Sequence, residues 1–155
     1  MRRKDREESV DFALRIIDQC EYGVAALCTP DGFPYAVPLS LVRIDKKLYF
    51  HCALEGQKID YLRKNPKISI SFVGSNQAAT DKFTTYYQSA TVSGTAHEVT
   101  GENEKIIALR ALCEKLTPAN MTGNNFERAI AKSLTVTGIW CVEMETITGK
   151  AKKRI

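Results

Sequence analysis

Six stretches of this chain read as β-strands, and most of the joints between them are short turns. They are 23–29 (GVAALCT), 33–44 (FPYAVPLSLVRI), 48–54 (LYFHCAL), 67–74 (KISISFVG), 84–99 (TTYYQSATVSGTAHEV) and 135–145 (TVTGIWCVEME). Parallel neighbours need crossovers of a dozen residues or more, which the short turns cannot supply. Helical periodicity occurs only between some strands, with no β-α-β alternation, so a doubly wound parallel sheet is excluded. The pattern predicts a mainly β domain: a six-stranded antiparallel barrel with helices packed outside.

The helical segments are few. Val10, Ala13, Leu14 and Ile17 recur at three- and four-residue spacing, which predicts a helix over 5–20 ended by Gly23. A short helix is expected over 58–65, closed by Pro66, and a longer one over 102–116 with Ile106, Leu109, Leu112 or Cys113, and Leu116 as its apolar stripe. Another is expected over 126–134. Residues 75–82 and 118–125 read as polar loops, and Gly94 marks a bulge or bend in the fifth strand. Pro34 and Pro38 fall on one face of the second strand and cannot donate to a ladder, which places that strand at an edge or a bulge.

At 155 residues the chain is expected to be a single domain, 1–155, with basic tails at 1–8 and 150–155. The net charge of +4 resides in those ends. They hold eight of the 22 Lys and Arg and three of the 18 Asp and Glu, so the body is net −1. Basic ends without a nucleic-acid motif read as solvated tails, and no nucleic-acid partner is expected. No apolar run approaches the length of a bilayer span and no signal segment is evident, so a cytoplasmic protein without a membrane partner is expected. The five cysteines are scattered without a C-x-x-C pair, which argues against a disulfide framework or structural zinc site. His51 and His97 have no carboxylate at ligand spacing, so no metal is expected.

The richest stretch is 49–60, YFHCALEGQKID. Neighbouring side chains in a strand point to opposite faces, so His51 and Cys52 cannot act as a thiol–imidazole pair. Beyond them Gly56 permits a tight turn, a helix begins with unpaired N–H groups, and Lys58 brings a positive charge to the same place. Those are the elements of a phosphate site; a solvated lysine at an ordinary strand-to-helix turn has the same spelling.

Taken in order, GFPYAVPLSLV, LYFHCALEGQKIDYLRKNPKISISF, YQSATVSGTAHEV and WCVEMETITGK resemble the FMN-binding split-barrel superfamily named for pyridoxamine 5′-phosphate oxidase. The likeness is closer to its nitroimidazole-resistance and flavin-nucleotide-binding branch, and covers about residues 21–150. The resemblance implies a homodimer with FMN in a cleft between subunits. It implies that the backbone of Tyr35–Ser40, with Val37, Pro38, Leu39 and Ser40, lies beside the flavin ring. His51, Cys52 and Ala53 would line the cleft, Lys58 would meet the phosphate, and Gln57 would be a further cofactor-binding residue. The partner would contribute residues near Tyr87 and Ser89, with Tyr86 the better core candidate of the tyrosine pair. Trp140 has two places open to it, the core or the flavin edge between subunits. His51 would be the catalytic group, orienting or protonating a small substrate.

The stretch YAVPLSLV lacks both basic residues of the R-x-V-L-L-K phosphate segment of pyridoxamine-phosphate oxidases, which argues against that reaction. The reading from sequence is therefore a flavin-dependent reductase of a small acceptor, nitroimidazole reductase-like. The alternative is a non-catalytic FMN- or haem-binding protein; relatives of the fold also hold a deazaflavin.

Overall fold

A computed structural model describes residues 2–154. Its strands are β1 (Glu7–Glu8), β2 (Gly23–Cys28), β3 (Pro34–Leu39), β4 (Val42–Ile44), β5 (Lys47–Cys52), β6 (Lys67–Ala79), β7 (Thr84–Glu98) and β8 (Gly138–Lys152). Its helices are α1 (Val10–Gln19), α2 (Gln57–Lys64), α3 (Glu102–Leu116) and α4 (Asn125–Ser133). All strand pairings are antiparallel, in the order β3-β2-β6-β7-β8-β5-β4, with β1 beside the far end of β8.

The two edge strands of that order, β3 and β4, are consecutive in the chain. A flat sheet would hold them about 29 Å apart, at about 4.8 Å for each gap between strands. Only Ser40 and Leu41 lie between Leu39 and Val42, a tether that reaches about 11 Å at full stretch. The sheet must therefore roll until its edges nearly meet. The result is a mainly β split barrel, open along the β3–β4 seam.

Alternation sets the inside. Ala25 and Leu27 of β2, Leu48 and Phe50 of β5, Ile68, Ile70 and Phe72 of β6, and Trp140 and Val142 of β8 form one buried cluster. Phe12, Ala13, Ile16 and Ile17 of α1 and Ile59 and Leu62 of α2 close over it. A second cluster lies outside the barrel wall, where Ala108 and Leu112 of α3 cover Val42, Tyr49, Ile139 and Cys141. Two contacts brace the seam: Lys115 of α3 donates to the Leu41 carbonyl at 2.9 Å, and Arg43 of β4 pairs with Asp18 of α1 at 2.6 Å.

Several sequence expectations need correction. The second predicted strand is two, because the chain leaves one edge of the sheet and joins the other at Ser40–Leu41. The predicted loop 75–82 is strand as far as Ala79, paired with β7 in a ribbon that projects past the barrel. A projecting ribbon has no buried face, so its polar residues carry no apolar alternation. The same projection leaves Tyr86 half-buried rather than in the core. The last strand continues to Lys152. The basic ends are not free tails within the described residues: Lys150 pairs with Glu7 and also with Ser89, and Lys152 pairs with Tyr87. Helix α1 begins at Val10 because the Ser9 hydroxyl caps it, accepting from the Phe12 amide at 3.1 Å. The bulge at Gly94 is present, and a Cβ there would lie 2.0 Å from the Glu143 carbonyl oxygen, so only glycine lets β7 and β8 approach so closely. Among the described residues no helix is long and apolar enough to cross a membrane.

Candidate functional site

One end of the seam gathers most of the residues singled out in the sequence. β5 ends at Cys52 and α2 starts at Gln57, so His51, Cys52, Ala53, Gln57 and Lys58 fall within one strand-to-helix turn. The β4–β5 register pairs Val42 with Tyr49. The residues just before Val42, Leu41 and Ser40, therefore enter β4 from the end of β5 that carries His51. β3 is an edge strand, as its prolines required, with Pro34, Ala36 and Pro38 exposed and Val37 and Leu39 turned inward. Tyr35 stacks edge-on against Tyr61 of α2, ring centres 5.3 Å apart, which holds β3 to the helix.

The turn itself has the donors of an anion site. Gly56 stands at φ +135°, a conformation closed to most other residues, and has no side chain with which to cap α2. Its carbonyl accepts from Ile59 and Asp60, which leaves the Gln57 and Lys58 amides at the open end of the helix. Lys58 is half-buried, its ammonium 5.6 Å from the ring centre of Phe50. Burial pushes the Cys52 thiol above its ordinary value, and the Lys58 charge works the other way without cancelling it.

His51 and Cys52 face opposite ways, as alternation demands. Cys52 packs against the barrel interior. His51 is exposed on the outer wall, beside an apolar groove of about 180 Å³ lined by Leu109, Leu112, Cys113, Leu116 and Thr117 of α3 and its end. The sequence reading missed this wall. Its signal is present in the α3 stripe: only Ala108 and Leu112 of the helix are buried, and Leu109 and Leu116 are left at the groove.

Three further residues lie elsewhere. Trp140 is 3% exposed inside the barrel, so of the two places left open, packing describes it. Within one chain Tyr87 and Ser89 are far from His51. His51 pairs with Ile139 and Tyr87 with Lys152, roughly 40 Å apart along β8 at about 3.3 Å per residue. There the Tyr87 hydroxyl accepts from Arg6 at 3.5 Å, and the Lys150 ammonium is 5.8 Å from its ring centre.

The outer face of β3, β2 and β6 is bare. Val24, Ala26, Cys28, Pro34, Ala36, Pro38, Ser71 and Val73 are exposed there, none of them charged, with Val73 62% accessible.

Comparison with known proteins agrees with this architecture. The family model described as pyridoxamine 5′-phosphate oxidase matches residues 9–151. An uncharacterized protein of Rhizobium meliloti is 29% identical over 143 residues, 86% of this chain and 91% of the relative. Among solved structures, a candidate 5-nitroimidazole antibiotic resistance protein of Bacteroides thetaiotaomicron superposes with a TM-score of 0.76 at 22% identity, over 94% of this chain and 89% of that one. An FAD-binding protein of Mesorhizobium loti gives 0.69 at 22% identity, over 96% and 98%. An FAD- and haem-binding protein of Mycobacterium smegmatis gives 0.77 at 20% identity, over 96% and 74%. At such identities these structures establish the shared fold.

Proposed function

The chain belongs to the pyridoxamine 5′-phosphate oxidase family, and from that premise we propose that it is an FMN-binding homodimer that reduces a small acceptor. The observation that carries the reading is the turn after β5. Two helix-end amides and the half-buried Lys58 side chain belong to one turn there, and Tyr35 of the edge strand β3 packs on the same helix. That donor set suits a dianionic phosphate. Lys58 and the Gln57 and Lys58 amides hold the phosphate, and the β3 end from Val37 to Ser40 flanks the ring. FMN, when bound, supplies the electron or hydride chemistry.

Three features of the chain support the remaining parts. The outer face of β3, β2 and β6 carries one charged residue, Lys67, at its margin and paired with Glu145, and the rest of it is what a second copy would cover, since interface cores are depleted in charge. A partner set there supplies the partner's Tyr87 and Ser89, which one chain cannot bring to its own His51. The groove beside His51 is smaller than the usual 300–1,000 Å³ of a ligand pocket, which favours a small acceptor. His51 orients that acceptor or gives it a proton. Cys52 faces inward with a thiol held protonated by burial, which removes it from the chemistry.

The test is the visible spectrum of the full chain after FMN addition and desalting, followed by NAD(P)H-driven turnover of a nitroaromatic. Retained flavin bands with turnover are expected. No retained flavin overturns the reading, and a haem band in the purified protein replaces it with a haem-binding one. Flavin retention without turnover leaves a binding protein. His51→Ala should lower turnover by roughly 10²-fold or more while FMN affinity changes little. Equal loss of both would make His51 structural.

A further inference from the structure

On the outer wall, one pleat repeat from His51, three side chains of metal-ligating type converge from two strands distant in sequence. His97 of β7 and Cys141 of β8 are a cross-strand pair, and Glu143 is two residues further along β8 on the same face. One ligand atom from each, the imidazole nitrogen, the sulfur and a carboxylate oxygen, lie within 4.8 Å of one another. We propose that His97, Cys141 and Glu143 form a three-ligand site for a zinc-class divalent cation, with the fourth position open to water. This inference is independent of the flavin reading.

The geometry requires little adjustment. Tetrahedral zinc with bonds of 2.0–2.3 Å sets its ligand atoms about 3.3–3.8 Å apart, so the trio must contract by up to about 1.5 Å. His97 is exposed and the Glu143 side chain is 47% accessible, so both can rotate inward. Cys141 is wholly buried and fixed at the floor. Thiolate and imidazole donors select zinc-class ions over magnesium or calcium. On binding, the S–H bond of Cys141 breaks as the metal–sulfur bond forms, and its proton leaves to solvent. Glu143 already accepts from Lys47 at 3.1 Å, and a carboxylate has a second oxygen to offer. On the other side, Tyr49 lies opposite Cys141 and donates to Glu104 of α3 at 2.8 Å, which fixes the wall of the site. A metal here would tie β7 to β8 directly beneath α3.

The experiment uses the full chain, stripped of metal by a chelator and dialysed. Zinc is titrated in competition with a chromophoric chelator, and cobalt(II) is used in parallel for its thiolate charge-transfer absorption. One ion per chain and a cobalt–thiolate band are expected. His97→Ala and Glu143→Gln should each weaken zinc roughly tenfold or more. Cys141→Ser should abolish the band. Cys141 is buried and its variant can fail to fold, so the two variants at accessible positions carry the test independently. Absence of saturable zinc binding overturns the site. So does an affinity unchanged by both His97→Ala and Glu143→Gln, or a band that survives in folded Cys141→Ser.

Discussion

The barrel has two outer faces that the chain treats differently. On β5, β4 and the first half of β8, the outward residues include Val42, Tyr49, Ile139 and Cys141, and α3 lies across them. On β3, β2 and β6, the outward residues are small or apolar except Lys67, which pairs with Glu145, and among the described residues no element lies across them. Both faces carry less charge than a solvated sheet normally presents, the Lys47–Glu143 pair at the margin of the first and Lys67 at the margin of the second. The first is explained within the chain. The second is a cover without its lid, and the family's flavin cleft would lie under that lid.

The sharpest way to break this comparison is to charge the bare face. Ala26→Glu should weaken self-association by about 3–5 kcal/mol, the cost of an unpaired buried charge, and FMN retention should fall with it. Sedimentation read at the flavin and protein wavelengths checks both. A monomer that keeps its flavin would separate the cleft from the dimer. Next is the covered face: Leu112→Ala should cost about 2–5 kcal/mol of folding stability by denaturant titration. The matched truncation Val24→Ala should cost under about 0.5 kcal/mol at low protein concentration, where its face is solvated. A large loss at Val24 in a monomer would show that the face is not bare.

Lys58→Ala tests the anion site between these faces and should weaken FMN by about 1.5–3 kcal/mol, the worth of a charge-assisted hydrogen bond. The smallest effect concerns Cys52. Its thiol titrates above 9.0 in the fold, so it favours the folded state below pH 9.0 and loses that contribution as pH rises through its higher folded value. Alkylation of Cys52 against pH should show a midpoint above 9.0, shifted further upward in Lys58→Ala. A midpoint at or below 9.0 would put the thiol in contact with solvent or with stronger positive charge than the structure gives.

The strand-to-helix turn at 49–60 was legible because its signals are local: alternation separates His51 from Cys52, and Gly56 announces the turn. Edge prolines gave β3 its place for the same reason. What could not be read depends on partners distant in the chain. Ser40–Leu41 carries no Gly, Pro, Asn or Asp, because the tether changes edges without reversing direction. Ser75–Ala79 looks like loop because a projecting ribbon needs no buried side. Lys150 and Lys152 look like tail because their strand is held by pairing with β7 and β1, not by an apolar pattern. His97, Cys141 and Glu143 meet only once β7 and β8 are in register. Trp140 stayed ambiguous because an aromatic alternating into a barrel wall is spelled the same whether it packs inward or meets a ligand.

The two-residue tether at Ser40–Leu41 also constrains the order of events on a ribosome. By the time β5 has emerged, both edges of the future barrel exist and are joined, yet β5 has no neighbour except β4. Its other neighbour is β8, the last strand of the described residues. Until then β5 and β7 keep unpaired edges, with the apolar row of Leu48 and Phe50 unsealed. Closure is therefore a late, long-range event, slow by its contact order and exposed to mispairing with other nascent chains. A chain that stops before Gly138 has both strands of the seam and no strand to join β5 to β7.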